Sequence, residues 1–75
     1  MHKYNGCEHG SGILAYEIGR DSIRIQFVDG SVYLYTYGST GPQNIDAMKS
    51  LAEKGDGLNS YINRYVRSDY ARREL

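Results

Sequence analysis

The chain has no tryptophan, a single cysteine, a single proline and no net charge among its 75 residues. Each scarcity removes a class of protein. A lone Cys7 cannot form an internal disulfide, which fits a reducing compartment rather than a disulfide-stapled secreted scaffold. Nine basic side chains balance nine acidic ones, so no global field draws the protein to nucleic acid or anionic lipid, and such binding has to come from a local patch. No apolar run is long enough to span a membrane, and the polar opening at His2, Lys3 and Tyr4 is not a signal peptide. The expected address is the cytoplasm. At this length there is room for one domain and little buried volume for an enclosed active site.

What is present is tyrosine, eight residues against one phenylalanine, in a chain that is 40% hydrophobic and 24% charged. That balance is ordinary for a globular protein. Tyrosine joins a large apolar ring to a hydroxyl that can stay wet, so it serves equally as a recognition surface and as the rim of a shallow core.

Residues 1–12, rich in glycine and polar side chains without a helical or strand period, read as a flexible leader. Order is expected from Ile13. Ile13 to Ile18 reads as a short strand and Gly19 to Ser22 as a turn; Ile23, Ile25 and Phe27 then alternate with Arg24 and Gln26, as on a half-buried strand. Asp29-Gly30 signals a hairpin into a returning strand, Val32 to Tyr37. Two registers are open. A two-residue turn sets Phe27 opposite Val32 and leaves Tyr33, Tyr35 and Tyr37 as an exposed stripe with Arg24. A three-residue loop with Gly30 as a left-handed bulge sets Ile25 opposite Tyr33 and Ile23 opposite Tyr35, and sends the tyrosines to the core.

Gly38 to Gly41 reads as a loop of turn formers, and Pro42 suits the first position of a helix whose Ile45, Met48, Leu51 and Ala52 share one side. Gly55 is its expected stop. Leu58, Tyr61, Ile62, Tyr65 and Val66 recur at the spacing of a second amphipathic helix. Residues 68–75 read as a polar tail that prolongs this helix or frays. The expected fold is α+β: an antiparallel three-stranded β-meander followed by two amphipathic helices packed on one face, with the domain spanning 13–67.

Catalytic constellations are missing. His2, Cys7 and His9 are too crowded and too few for a structural zinc site, and a cysteine nucleophile needs a positioned base and an oxyanion site that a glycine-flanked terminus does not offer. Gly38-Ser39-Thr40-Gly41-Pro42 resembles a phosphate loop only superficially, because it ends in a residue without an N–H and has no lysine at the anion. The acidic pairs Glu17 with Asp21 and Asp46 with Glu53 read as solvated surface charge. The chain is therefore read as no enzyme, with no catalytic residue, metal, cofactor or small-molecule substrate.

From Leu58 onward Arg64, Arg67, Arg72 and Arg73 stand against Asp69 and Glu74, a local excess of two positive charges. Arginine beside aromatic rings is how single-stranded nucleic acid is held, at roughly 1–3 kcal/mol per stacked base. Tyr33 and Tyr35 with Arg24 in the first register, and Arg64, Arg67, Arg72 and Arg73 in either, are the candidate contacts.

Ile23, Ile25 and Phe27 before Asp29-Gly30, the Tyr33-x-Tyr35 element, and Lys54-Gly55 followed by Asn59, Ile62 and Tyr65 together resemble the KTSC domain, a module found alone in bacterial proteins and at the C-terminus of some lysyl-tRNA synthetases. The chain departs from that pattern in a longer loop from Gly38 to Pro42, in Glu53 where serine is usual, and in Leu58 where an aromatic is usual. The resemblance covers most of the chain after Ile13 and implies an RNA-binding module through the synthetase context. It also favours the bulged hairpin, because family members commonly place a polar residue between the two tyrosines. The alternative expectation is a protein-interaction or structural module that docks a partner through a sheet edge or the Tyr61 and Tyr65 flank of the second helix.

Overall fold

Ile23 and Ile25 alternate with Ser22, Arg24 and Gln26 along a strand, and that strand is the centre of the fold. In the computed structural model, which describes residues 1–5 and 12–75, five antiparallel strands lie in chain order: β1 (His2–Lys3), β2 (Ile13–Ile18), β3 (Ser22–Phe27), β4 (Val32–Thr36) and β5 (Arg72–Arg73). Helical segments α1 (Tyr37–Thr40), α2 (Pro42–Lys54) and α3 (Leu58–Tyr61) follow β4, and α3 runs on into a π-helical turn, Ile62–Val66. The α+β class is as expected. The sheet has five strands where three were expected, because both chain ends return to it.

The β3–β4 hairpin takes the three-residue loop. Ile23 lies opposite Tyr35 and Ile25 opposite Tyr33; the Phe27 N–H donates to Ser31 O at 2.8 Å, and Gly30 sits at φ 92°. Asp29 secures the loop by accepting from the Ser31 amide (2.9 Å) and hydroxyl (2.6 Å). This register sends Tyr33 and Tyr35 to the helix-covered face, and Tyr35 is buried at 1% exposure. The exposed tyrosine stripe is thereby corrected: Arg24 lies opposite Leu34, on the other face of the sheet.

A bulge between Ile13 and Ala15 carries β2 past its partner by one residue, at Leu14. Without that extra residue Ile13 and Tyr16 would point to opposite faces. With it, Ile13 is fully buried and Tyr16 packs against the same core.

Thr36 ends β4 and caps α1: its hydroxyl accepts from the Ser39 amide (3.1 Å), and the Ser39 hydroxyl accepts from the Thr36 amide (3.1 Å). Tyr37 therefore opens a helical turn rather than closing a strand, because two backbone donors gain side-chain partners there. α2 starts with Pro42 at its first turn and stops at Gly55, in the left-handed conformation at φ 78°. Its Ile45, Met48 and Ala52 are buried against Ile23, Ile25 and Tyr35. Leu58, Ile62 and Val66 complete the core from the last helical segment. The wide π turn keeps residues four apart in line and rotates Tyr65 outward, to 58% exposure.

Both chain ends are structural. β1 pairs with β2, and Tyr4 next to it is 1% exposed within the core. Its amide donates to Leu14 O at 3.0 Å, and its hydroxyl oxygen accepts from the Leu58 amide at 3.1 Å, at the start of α3. The expectation of a flexible leader over 1–12 is thus corrected at its first five residues. Residues 6–11, with Cys7 and His9, lie outside the described residues. The tail 68–75 neither prolongs the helix nor frays: it turns back and pairs as β5 with β4, through Tyr33 with Arg73 and Leu34 with Arg72.

Candidate functional site

β4, the π turn and the returning C-terminal segment enclose an open groove of about 520 Å³, with Phe27, Tyr33, Tyr35, Asn63, Arg67 and Tyr70 among its walls. Each wall has a local cause. The bulged hairpin register turns Tyr33 and Tyr35 inward, the π turn sets Asn63 and Arg67 four apart on one side, and the pairing of β5 swings Tyr70 back over the sheet. Tyr33 meets Phe27 edge-to-face at 5.6 Å and Tyr70 at 4.7 Å between ring centroids, and Tyr70 reaches Tyr35 at 6.3 Å. Edge-to-face geometry is what the ring quadrupoles favour.

The polar groups of the groove fall into two sets. Asp29 and Ser31 satisfy one another, and the bonds from Ser31 hold the Asp29 carboxyl below its usual range. In contrast, the Tyr33, Tyr35 and Tyr70 hydroxyls, the Asn63 amide, the Ser68 hydroxyl and the Arg67 guanidinium have no hydrogen bond or ion pair among the described residues. Tyr35 is the sharpest case. Its residue is almost wholly buried, yet no fully buried side-chain oxygen among the described residues lacks a partner, so its hydroxyl opens into the groove. Burial, with Tyr33 and Tyr70 close by, pushes that phenol up to about 12, so it stays protonated at neutral pH.

The other expected contacts are dispersed. Arg24 donates to Glu74 at 2.7 Å and to Glu17 at 3.0 Å on the far face of the sheet, and Arg72 joins the same Glu74 at 3.2 Å. Arg73 stands over the Tyr33 ring at 5.7 Å and donates to Leu75 O. Arg64 stands over the exposed Tyr65 ring at 5.8 Å, and Tyr65 packs on Tyr61 at 4.8 Å. Of the seven expected residues, Tyr33, Tyr35 and Arg67 therefore share a site, and Arg24 and Arg72 belong to an ion-pair network facing away from it. No three histidine, cysteine, aspartate or glutamate side chains among the described residues are grouped to hold a metal. No helix among the described residues is long and apolar enough to cross a membrane.

No family model, curated protein or solved structure matches the chain. The chemistry of the groove itself therefore carries its interpretation. Tyr70, Asn63 and Ser68 escape a sequence reading, because a tail without period gives no sign of its return and the π turn has the spacing of an ordinary helix. The legible signal is Arg72-x-Glu74, two opposite charges at strand spacing, of which Glu74 pairs both with Arg72 and with Arg24 across the sheet.

Proposed function

We propose that the domain is a binding module for single-stranded nucleic acid, RNA in the first place, that engages its ligand on the face carrying the tyrosine groove. The observation that supports this reading most is one groove lined both by Arg67, a cation without a partner among the described residues, and by a cluster of tyrosines whose hydroxyls have no hydrogen-bond partner among the described residues. Guanidinium groups meet phosphates while aromatic walls accept bases, and neither needs a large net charge when the site is small. Arg64 beside the exposed Tyr65 continues the same chemistry on the neighbouring helical surface. The KTSC resemblance, through its synthetase context, is consistent with RNA as the ligand. Arg24 and Arg72 have no part in this reading, since Glu17 and Glu74 already occupy them.

The test is fluorescence anisotropy of a labelled mixed-sequence RNA single strand across salt concentrations. Affinity is expected to fall as salt rises, and Arg64→Ala with Arg67→Ala is expected to lower the slope of log affinity against log salt by about 0.7 for each phosphate no longer neutralised. An unchanged slope in the double variant removes these arginines from the site. Absence of binding even at low salt overturns the reading and favours a protein partner. For that second reading the specific observation is Tyr65, 58% exposed and packed at a tilt on Tyr61. The sheet edges fit it less well, because β1 and β5 are two residues each.

A further inference from the structure

We propose that the groove is a receptor for a single unpaired nucleotide, with the base entering among the tyrosines to meet the Tyr35 hydroxyl and its phosphate meeting Arg67. The receptor rests on the nucleic-acid reading and names the part of the ligand that the groove takes.

Size sets the first bound. About 520 Å³ lies within the range of small-molecule sites, roughly 300–1,000 Å³, which suits one nucleotide and excludes a duplex. The depth at which each polar group sits sets the second. A phenol in an almost fully buried residue can donate to and accept from an uncharged base edge at little cost. A charged phosphate at that depth would lose its hydration, at a far greater cost than an uncharged base edge. Arg67 is an exposed residue, so a phosphate there keeps part of its water and gains a guanidinium. Asp29 belongs to the hairpin loop, and its carboxylate disfavours a phosphate at that end of the groove. The expected polarity is therefore base towards Tyr35 and phosphate towards Arg67, at the end of the π turn.

The π turn supports the same assignment. It holds Asn63 beside Arg67 on one side and buries Ile62 and Val66 on the other. The Asn63 amide carries an adjacent donor and acceptor, the pairing that base edges present and phosphates do not. π-Helical turns recur at functional sites, where they re-aim side chains at a cost in regular hydrogen bonding. Tyr70, 38% exposed, keeps ring surface open beside the groove for a base to lie against.

The experiment is a titration of isotope-labelled full-length protein, followed by NMR, with each of the four nucleoside 5′-monophosphates, with inorganic phosphate, and with the mixed-sequence RNA strand. Tyr35→Phe, which removes one oxygen and leaves the packed ring, is titrated alongside. At least one monophosphate is expected to move the Tyr35, Asn63 and Arg67 signals together, inorganic phosphate to move Arg67 at most, and Tyr35→Phe to weaken the monophosphate about tenfold. Inorganic phosphate reproducing the whole pattern, or unchanged affinity in Tyr35→Phe, overturns the receptor. RNA binding that leaves the groove signals still sinks the receptor and spares the nucleic-acid reading. Monophosphate binding without RNA binding does the reverse.

Discussion

Tyr4 shows how much one side chain far from the sequence centre can hold. α3 begins after Gly57, which has no side chain to cap the first turn, and an uncapped buried N–H is costly. The Tyr4 hydroxyl takes that role from 54 residues away. Tyr4→Phe keeps the ring in the core and removes the acceptor, so it is expected to cost about 1–3 kcal/mol. Urea unfolding should show a lower midpoint at unchanged slope; an unchanged midpoint would mean that water caps Leu58 equally well. Glycines make a second residue-scale contrast. Gly30 and Gly55 both have positive φ, but a Cβ at Gly30 meets nothing within 4 Å, whereas one at Gly55 lies 2.8 Å from Asn5 Cβ. Gly30→Ala is expected to cost only the conformational penalty, about 1–2 kcal/mol, and Gly55→Ala more. Adding Asn5→Gly to Gly55→Ala should recover the difference, as read from the same unfolding curves; failure to recover would place the strain elsewhere.

At the scale of elements, the C-terminal strand is held by charge as well as by pairing. The Ala71 and Glu74 amides donate to Leu34 O and Val32 O, each at 2.7 Å, while the Glu74 carboxylate lies between Arg24 and Arg72. The bond from Arg24 foremost, then the bond from Arg72, hold Glu74 below the ordinary glutamate range. A depressed folded pKa contributes stability at neutral pH that is lost as pH falls through the folded value. Acidification below the usual glutamate range is therefore expected to release β5, and Glu74→Gln at neutral pH to cause the same shifts in the Ala71 and Leu75 amide signals, whose bonds run to Leu34 O and Val32 O. If acid releases the strand and Glu74→Gln does not, another carboxylate is responsible. The legibility of elements follows from their length. β3, β4 and α2 carry several periods of alternating or helical patterning, and Asp29-Gly30 reduces the hairpin register to two choices. β1 and β5, at two residues, carry no period at all, the bulge at Leu14 breaks the alternation by which a strand is read, and the π turn has the apolar spacing of an ordinary helix. The groove is half legible for the same reason: Tyr33, Tyr35 and Arg67 stand on readable elements, and Tyr70 follows a turn that only tertiary pairing with β4 creates.

For the whole molecule, the decisive feature is that both ends complete one small core. Tyr4 from the N-terminal side packs with Ile13, Ile25, Met48 and Leu58, and the C-terminal segment brings Tyr70 onto Tyr33 and Tyr35. The Thr40 hydroxyl donates to Asp69 O at 2.7 Å and ties that segment to α1. A domain of this size has a total stability of about 4–11 kcal/mol, and truncating one buried isoleucine costs about 2–5 kcal/mol. Ile25, fully buried on the central strand, has no part in the groove, so it separates stability from binding. Ile25→Val, at about 0.5–1.5 kcal/mol, is expected to lower the melting temperature and leave ligand affinity unchanged at temperatures where the protein is folded, whereas Ile25→Ala should leave a substantial unfolded fraction. Because no subset of elements has a core of its own, far-ultraviolet circular dichroism and tyrosine fluorescence should follow the same single transition in both variants. Two separated transitions would show that the C-terminal segment and groove melt before the sheet, and would make the groove a locally ordered site rather than a product of the whole fold.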